Sequence, residues 1–170
     1  AGAHLDWFFG VSGANGLGSA QTTNRLAKSD WDWTADMSDT TFTGFGQQAF
    51  PFLKALKFHA NREWFADNKA LYESDVKNPL GDLAEAAGEA CEKAGLPFRG
   101  SRKTSPFRIY RDVRFSKDKN PYKTNASAVL SRTGTKKDTG GIYMHFEPDN
   151  CFIASGLWYP PSPQLKAMRE

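Results

Sequence analysis

The sequence predicts an α+β domain in which N-terminal helices pack on an antiparallel β-sheet. Three observations carry this. Between Phe50 and Ala94 apolar residues recur at helical spacing. From Phe107 onward they alternate with polar residues, as strands require. Helices precede strands, without the alternation that marks βαβ units. The 13 Phe and 5 Trp of the 170-residue chain provide large rings to fill a core against a broad sheet face.

The first helix is predicted over Phe50 to Phe58, with Pro51 near its start and Phe52, Leu53 and Leu56 on one side. His59 falls at its carbonyl end. Asn61 is a suitable cap for a second helix, whose Trp64, Phe65, Asn68, Leu71 and Tyr72 share one stripe and face the core. Asn78-Pro79 is expected to break this helix and start a third, carrying Leu80, Leu83, Ala84, Ala87, Cys91 and Ala94, until Gly95 and Pro97 end it. Strands are predicted at Phe107, Ile109, Val113 and Phe115, at Ile142, Met144 and Phe146, and at Phe152, Ala154, Gly156 and Trp158. Pro148-Asp149-Asn150 is turn chemistry and should join the last two as a hairpin. Ser131 to Gly141, rich in Gly and Lys, reads as a loop. Ser162-Pro163-Gln164-Leu165 opens a further helix close to Glu170, so the domain is expected to be cut at its C-terminus.

This length suits one domain, assigned to residues 42–170. Residues 1–41, rich in Gly, Ser, Asn and Thr, read either as an irregular N-terminal arm or as a non-native extension before Met37. Gly13, Gly16 and Gly18 lack the order, strand, helix and acidic residue of a dinucleotide fingerprint and suit a loop. A composition of 39% hydrophobic and 24% charged residues is that of a globular chain. No run approaches the ~20 apolar residues of a membrane helix, and no signal peptide opens the chain, so no membrane partner is expected. Cys91 and Cys151 have no CxxC or His spacing. They are expected as small core residues in a reducing cytoplasm, with neither metal nor cofactor. No nucleophile elbow, P-loop, HExxH or paired-carboxylate motif is present.

Charge is unevenly spread. Arg99 to Lys123 holds nine Lys or Arg against Asp112 and Asp118, within a chain of net charge +3. Such a local excess is what an anion-binding surface needs. The candidate ligand residues are Arg108, Arg111, Asp112, Arg114, Lys117, Lys119, Tyr122 and Lys123. Arg111 shares a strand face with Ile109, Val113 and Phe115. It should therefore either line a pocket or pair with a carboxylate such as Glu63 or Glu147. The lysines around Asn120-Pro121 would hold a phosphate through ammonium and backbone N–H groups, although a solvated hairpin tip has the same composition. Trp158, with Tyr159 and Pro160, either walls a ligand pocket or closes the end of the sheet. His145 alternates with Tyr143 and Glu147, the spacing of a general base oriented by a carboxylate.

Three blocks together resemble a known family: Phe50-Pro51-Phe52-Leu53 through Asn61-Arg62-Glu63-Trp64-Phe65-Ala66-Asp67-Asn68-Lys69, then Arg108 to Lys123, then Gly156-Leu157-Trp158-Tyr159-Pro160. Their order and spacing are similar to those of a domain-of-unknown-function family (DUF2461). The resemblance runs from about Phe45 to Glu170, lacks that family's final helix and tail, and implies no particular activity, substrate or catalytic residue. Three functional readings follow. In the first, the basic block binds a phosphate-bearing small molecule or nucleic acid. In the second, an enzyme uses Asp112, His145 or Glu147 for proton transfer on an anionic substrate. In the third, an interaction module is held by internal Arg/Asp pairs. Oligomeric state is not readable. If the domain begins near Phe42, protein started at Met37 should keep its thermal midpoint. A clear drop in a melting scan would mean that Trp7, Phe8 or Trp31 packs into the core.

Overall fold

The computed structural model describes residues 42–158 and 160–170, so the expected arm or extension at 1–41 lies outside the described residues. Helix α1 (Ala49–Phe58) buries Ala49, Phe52, Leu53 and Leu56, the apolar side anticipated for it. Asn61 caps α2 (Arg62–Asp67), its Oδ1 accepting the Trp64 N–H at 2.8 Å. Helical geometry lapses at Asn68 (φ −103°, ψ 11°), whose side-chain amide donates to the Trp64 carbonyl at 2.8 Å. Helix α3 (Lys69–Tyr72) then resumes.

Asn78-Pro79 does not break the helix, contrary to expectation. Helix α3 runs through a π turn (Glu73–Lys77) straight into α4 (Asn78–Lys93), with Tyr72 and Asn78 both in right-handed helical geometry. A proline has no N–H to give and leaves the carbonyl four residues earlier without its helical donor. Here that carbonyl belongs to Asp75, and the Gly46 N–H donates to it at 3.1 Å. The Asp75 carboxylate also accepts the Gln48 N–H at 3.0 Å and the Ser74 hydroxyl at 2.6 Å. Asp75 thereby satisfies donors that the start of α1 would otherwise leave open. The approach requires Gly46, because a Cβ there would fall on the Asp75 side chain.

The sheet has three antiparallel strands, β1 (Ala126–Ser131), β2 (Gly140–Glu147) and β3 (Asn150–Leu157), in that spatial order. The β2–β3 hairpin turns at Pro148–Asp149, with Asp149 at φ 67°, as its turn residues predict. Ala126, Ala128 and Leu130 of β1 pair with Phe146, Met144 and Ile142 of β2, and this face meets the helices in one core with Leu53, Leu56, Phe65, Val76, Leu80 and Ala84. The helices-on-antiparallel-sheet architecture is therefore the expected α+β class.

Three expectations need correction. Strand β1 was not anticipated, and its last residue, Ser131, was assigned to a loop. The strand is buried at five of six positions, so its small residues show no polar alternation. Its outer edge is occupied by the preceding segment, through Phe107 N–H to Ser127 O (2.8 Å) and Val129 N–H to Ser105 O (3.1 Å). Second, the predicted strand from Phe107 to Phe115 makes only isolated bridges, Pro106 to Ala128 and Tyr110 to Tyr122. Ile109 is buried, but Phe115 is 95% exposed. Third, Cys91 is buried as expected, whereas Cys151 is exposed on the outer strand β3, where Ile153 is also 69% exposed. The C-terminal helix α5 spans Ser162–Ala167, with Pro163 in its first turn. No helix among the described residues is long and apolar enough to cross a membrane.

Replacing Asp75 with Ala should destabilise the fold by about 0.5–2 kcal/mol, the usual cost of losing a side-chain cap. Denaturant melts of Asp75→Ala and Ser74→Ala would check this, with the larger loss expected at Asp75.

Candidate anion-binding cleft

The cleft is built from a helix face and a two-stranded ribbon. On α2 and α3, Arg62, Phe65, Ala66 and Lys69 follow the i, i+3, i+4, i+7 spacing of one face. When Phe65 points into the core, Arg62 and Lys69 are carried to the rim. Opposite them, residues 109–111 and 121–123 pair through Arg111 N–H to Pro121 O (2.9 Å) and Lys123 N–H to Ile109 O (2.8 Å). This ribbon presents Tyr110, Arg111 and Tyr122 to the same space. The resulting cleft of about 390 Å³ is lined by Arg62, Phe65, Ala66, Lys69, Tyr110, Arg111, Val113, Pro121 and Tyr122. Its volume lies in the range of small-molecule sites.

Three cations line this cleft and no carboxylate does. Its floor is aromatic: Tyr122 stacks on Phe65 with ring centroids 4.4 Å apart, and Tyr110 lies 5.8 Å from Phe65 and 5.5 Å from Tyr122. Burial raises the Tyr122 pKa above the ordinary phenol value, with Tyr110 adding to the rise and Arg62 opposing it. Burial likewise pushes Tyr72, 5.5 Å from Phe65, up to about 12, with smaller contributions from Tyr110 and Glu73.

The loop between the ribbon arms is shaped by carboxylates and amides that accept backbone N–H groups two residues ahead. Asp112 accepts from Arg114 N at 3.2 Å, Asp118 from Asn120 N at 2.9 Å, and Asn120 from Tyr122 N at 3.0 Å. Asp118 also accepts from Arg111 Nη1 at 2.5 Å. Its carboxyl is held below the usual range chiefly by the Asn120 N–H and then by Arg111. Asp112 is held low by the Arg114 side chain and then by the Arg114 N–H.

The candidate residues therefore separate. Arg111 and Tyr122 line the cleft. The partner of Arg111 is Asp118 rather than Glu63 or Glu147, and the pair is open to water, with side chains 31% and 61% exposed. Removing it strands no buried charge. Asp112 and Arg114 pair with each other in the exposed loop at 2.6 Å. Lys117 is exposed there, and the Lys119 ammonium donates to the Val113 carbonyl at 3.1 Å. Lys123 turns to the sheet face instead, 5.2 Å from the Phe107 ring centroid. Burial lowers its pKa, and Arg108 and Lys136 add to the shift. His145 and Glu147 stand on that face too, while Trp158 follows the end of β3 and its N–H donates to Thr139 O at 2.5 Å. Arg62 and Lys69 were absent from the sequence candidates: their spacing places them on the helix face of Phe65, and only the ribbon opposite makes that face a site. Among the described residues no three His, Cys, Asp or Glu converge as a metal would require.

In comparison with known proteins, the family described as a conserved hypothetical protein (DUF2461) matches residues 48–170. No curated protein and no solved structure matches the chain.

The raised Tyr72 pKa gives a pH dependence with a definite sign. The fold favours the protonated phenol, so its contribution is complete below pH ~10 and is lost as the unfolded chain ionises first, between pH ~10 and ~12. Wild-type stability should fall by about 2–3 kcal/mol more than that of Tyr72→Phe across this interval in denaturant melts.

Proposed function

The chain belongs to the DUF2461 family of conserved hypothetical proteins, and within it we propose that this domain binds a small phosphate-bearing molecule in the cleft between α2–α3 and the Tyr110–Tyr122 ribbon. The single observation that carries the reading is the lining of that cleft: Arg62, Lys69 and Arg111 around a floor of Phe65, Tyr110 and Tyr122, without a carboxylate. Guanidinium groups match phosphate oxygens in a fork, and an ammonium adds a point charge. Phenol and phenyl faces suit a flat or apolar portion attached to the anion. Asp118, which is not part of the lining, pairs with Arg111 Nη1 and would be exchanged for the ligand.

Thermal-shift titration with nucleotides, sugar phosphates and pyrophosphate tests the proposal, since a ligand of the native state raises its midpoint by mass action. A hit should weaken about tenfold or more in Arg62→Gln and in Lys69→Gln, because each removes a charge-assisted contact. Lys117→Gln should bind as the wild type does. If no such compound shifts the midpoint, or if the Arg62 and Lys69 variants bind unchanged, the reading fails. A response confined to oligonucleotides, with a steep salt dependence, would replace the small molecule with nucleic acid.

A further inference from the structure

The sheet face turned away from the helices carries a second cluster that the cleft does not use. Tyr143, His145 and Glu147 follow one another along β2 on this face. The Tyr143 hydroxyl lies 3.1 Å from His145 Nδ1, and His145 Nε2 lies 3.5 Å from Glu147 Oε2. Glu147 Oε1 accepts the Thr124 hydroxyl at 2.7 Å, which fixes the carboxylate. A carboxylate can only accept, so it holds the imidazole proton on Nε2 and leaves Nδ1 as an acceptor for the phenol. His145 is only 8% exposed, with Phe152 stacked on it at 4.7 Å. Two ammonium groups gather on the neighbouring ring: Lys123 and Lys136 lie 5.2 and 5.4 Å from the centroid of Phe107, whose ring meets Tyr143 edge-on at 6.0 Å.

We propose that this face is a second, reactive site, in which Tyr143 is a nucleophile activated by His145 and Glu147 toward an anionic ester whose charge rests on Lys123 and Lys136. The arrangement follows the general logic of nucleophile, base and orienting carboxylate. The phenolic proton passes to His145 Nδ1 as the phenolic oxygen bonds to the acyl carbon. The ester C–O bond breaks, and His145 returns the proton to the departing alcohol, leaving a tyrosyl ester. Glu147 and Thr124 are positioning residues. Burial lowers the pKa of both lysines, so each has a partly dehydrated charge that an anion would compensate. The proposal is independent of the cleft and stands or falls separately.

The test uses 4-(fluorosulfonyl)benzoate, an anionic probe that traps an activated phenol irreversibly. A sulfur–oxygen bond forms, the sulfur–fluorine bond breaks, fluoride leaves and His145 takes the proton. Site-resolved mass spectrometry, on protein carrying Arg62→Gln and Lys69→Gln so that the cleft does not gather the anion, would follow Tyr143 against Tyr110, which is 49% exposed and serves as an internal control. Accessibility alone favours Tyr110, whereas the proposal requires Tyr143 to react at least tenfold faster. His145→Gln should slow Tyr143 tenfold or more and leave Tyr110 unchanged, within the range that a positioned base contributes. Glu147→Gln should slow the same residue selectively and serves as the decisive variant if His145→Gln fails to fold. Lys123→Gln with Lys136→Gln should abolish the preference of Tyr143 for this probe over neutral phenylmethanesulfonyl fluoride. Faster labelling of Tyr110 with His145 and Glu147 intact, or an unchanged Tyr143 rate in a folded His145 or Glu147 variant, would overturn the proposal.

Discussion

The Phe65 ring has to serve two surfaces at once. It is 4% exposed and contacts Phe52 and Tyr72 from the helical layer, at 6.3 and 5.5 Å, and Tyr110 and Tyr122 from the ribbon, at 5.8 and 4.4 Å. Aromatic pairs in such geometries contribute about 0.5–1.5 kcal/mol each beyond the area they bury. The same ring is both a core residue and the floor of the cleft. The rotation of α2 that buries Phe65 also sets Arg62 and Lys69 at the rim, and the stacking of Tyr122 fixes the ribbon that brings Arg111 to the other side. Much of the geometry of the candidate site thus follows from the packing of one phenylalanine.

The basic block, read as a single surface in the sequence, is divided by this packing into parts with different surroundings. Arg111 and Tyr122 belong to the cleft, Lys123 joins Lys136 on the opposite face of the sheet, and Asp112 with Arg114 closes a local turn. A linear excess of charge does not distinguish these fates, because the ribbon sends the neighbours Tyr122 and Lys123 to opposite faces. The internal pairs in the block are exposed and contribute little to stability. Their role is in loop shape, through the backbone N–H groups that Asp112, Asp118 and Asn120 accept.

What was legible in the sequence was local. The apolar side of α1, the Asn61 cap and the β2–β3 turn each depend on residues close in the chain, and each was found where its chemistry placed it. Strand β1 was hidden because burial on both faces erases alternation, and Ala126, Ser127 and Ala128 are small for a reason set by other parts of the fold. Phe115 misled in the opposite direction, since an alternating pattern continued past the point where the ribbon ends. The cleft was half legible: Arg111 and Tyr122 stood out in an unusual segment, while Arg62 and Lys69 look like ordinary solvent-facing helix residues until the ribbon is placed opposite them.

The π turn at Glu73–Lys77 sets an angular phase. Each residue of an α-helix advances the direction of its side chains by about 100°, so a turn wound with one residue more than usual offsets everything beyond it. That offset allows Phe65 and Tyr72 on one side of the turn, and Leu80 and Ala84 on the other, to meet the same core. Substitutions at exposed positions such as Ser74 and Lys77 leave this phase intact. Gain or loss of a single residue there would rotate α2 and α3 against α4 and turn either the core side chains or the cleft cations away from their places. Across related chains, the length of this short segment should therefore be held more strictly than its composition.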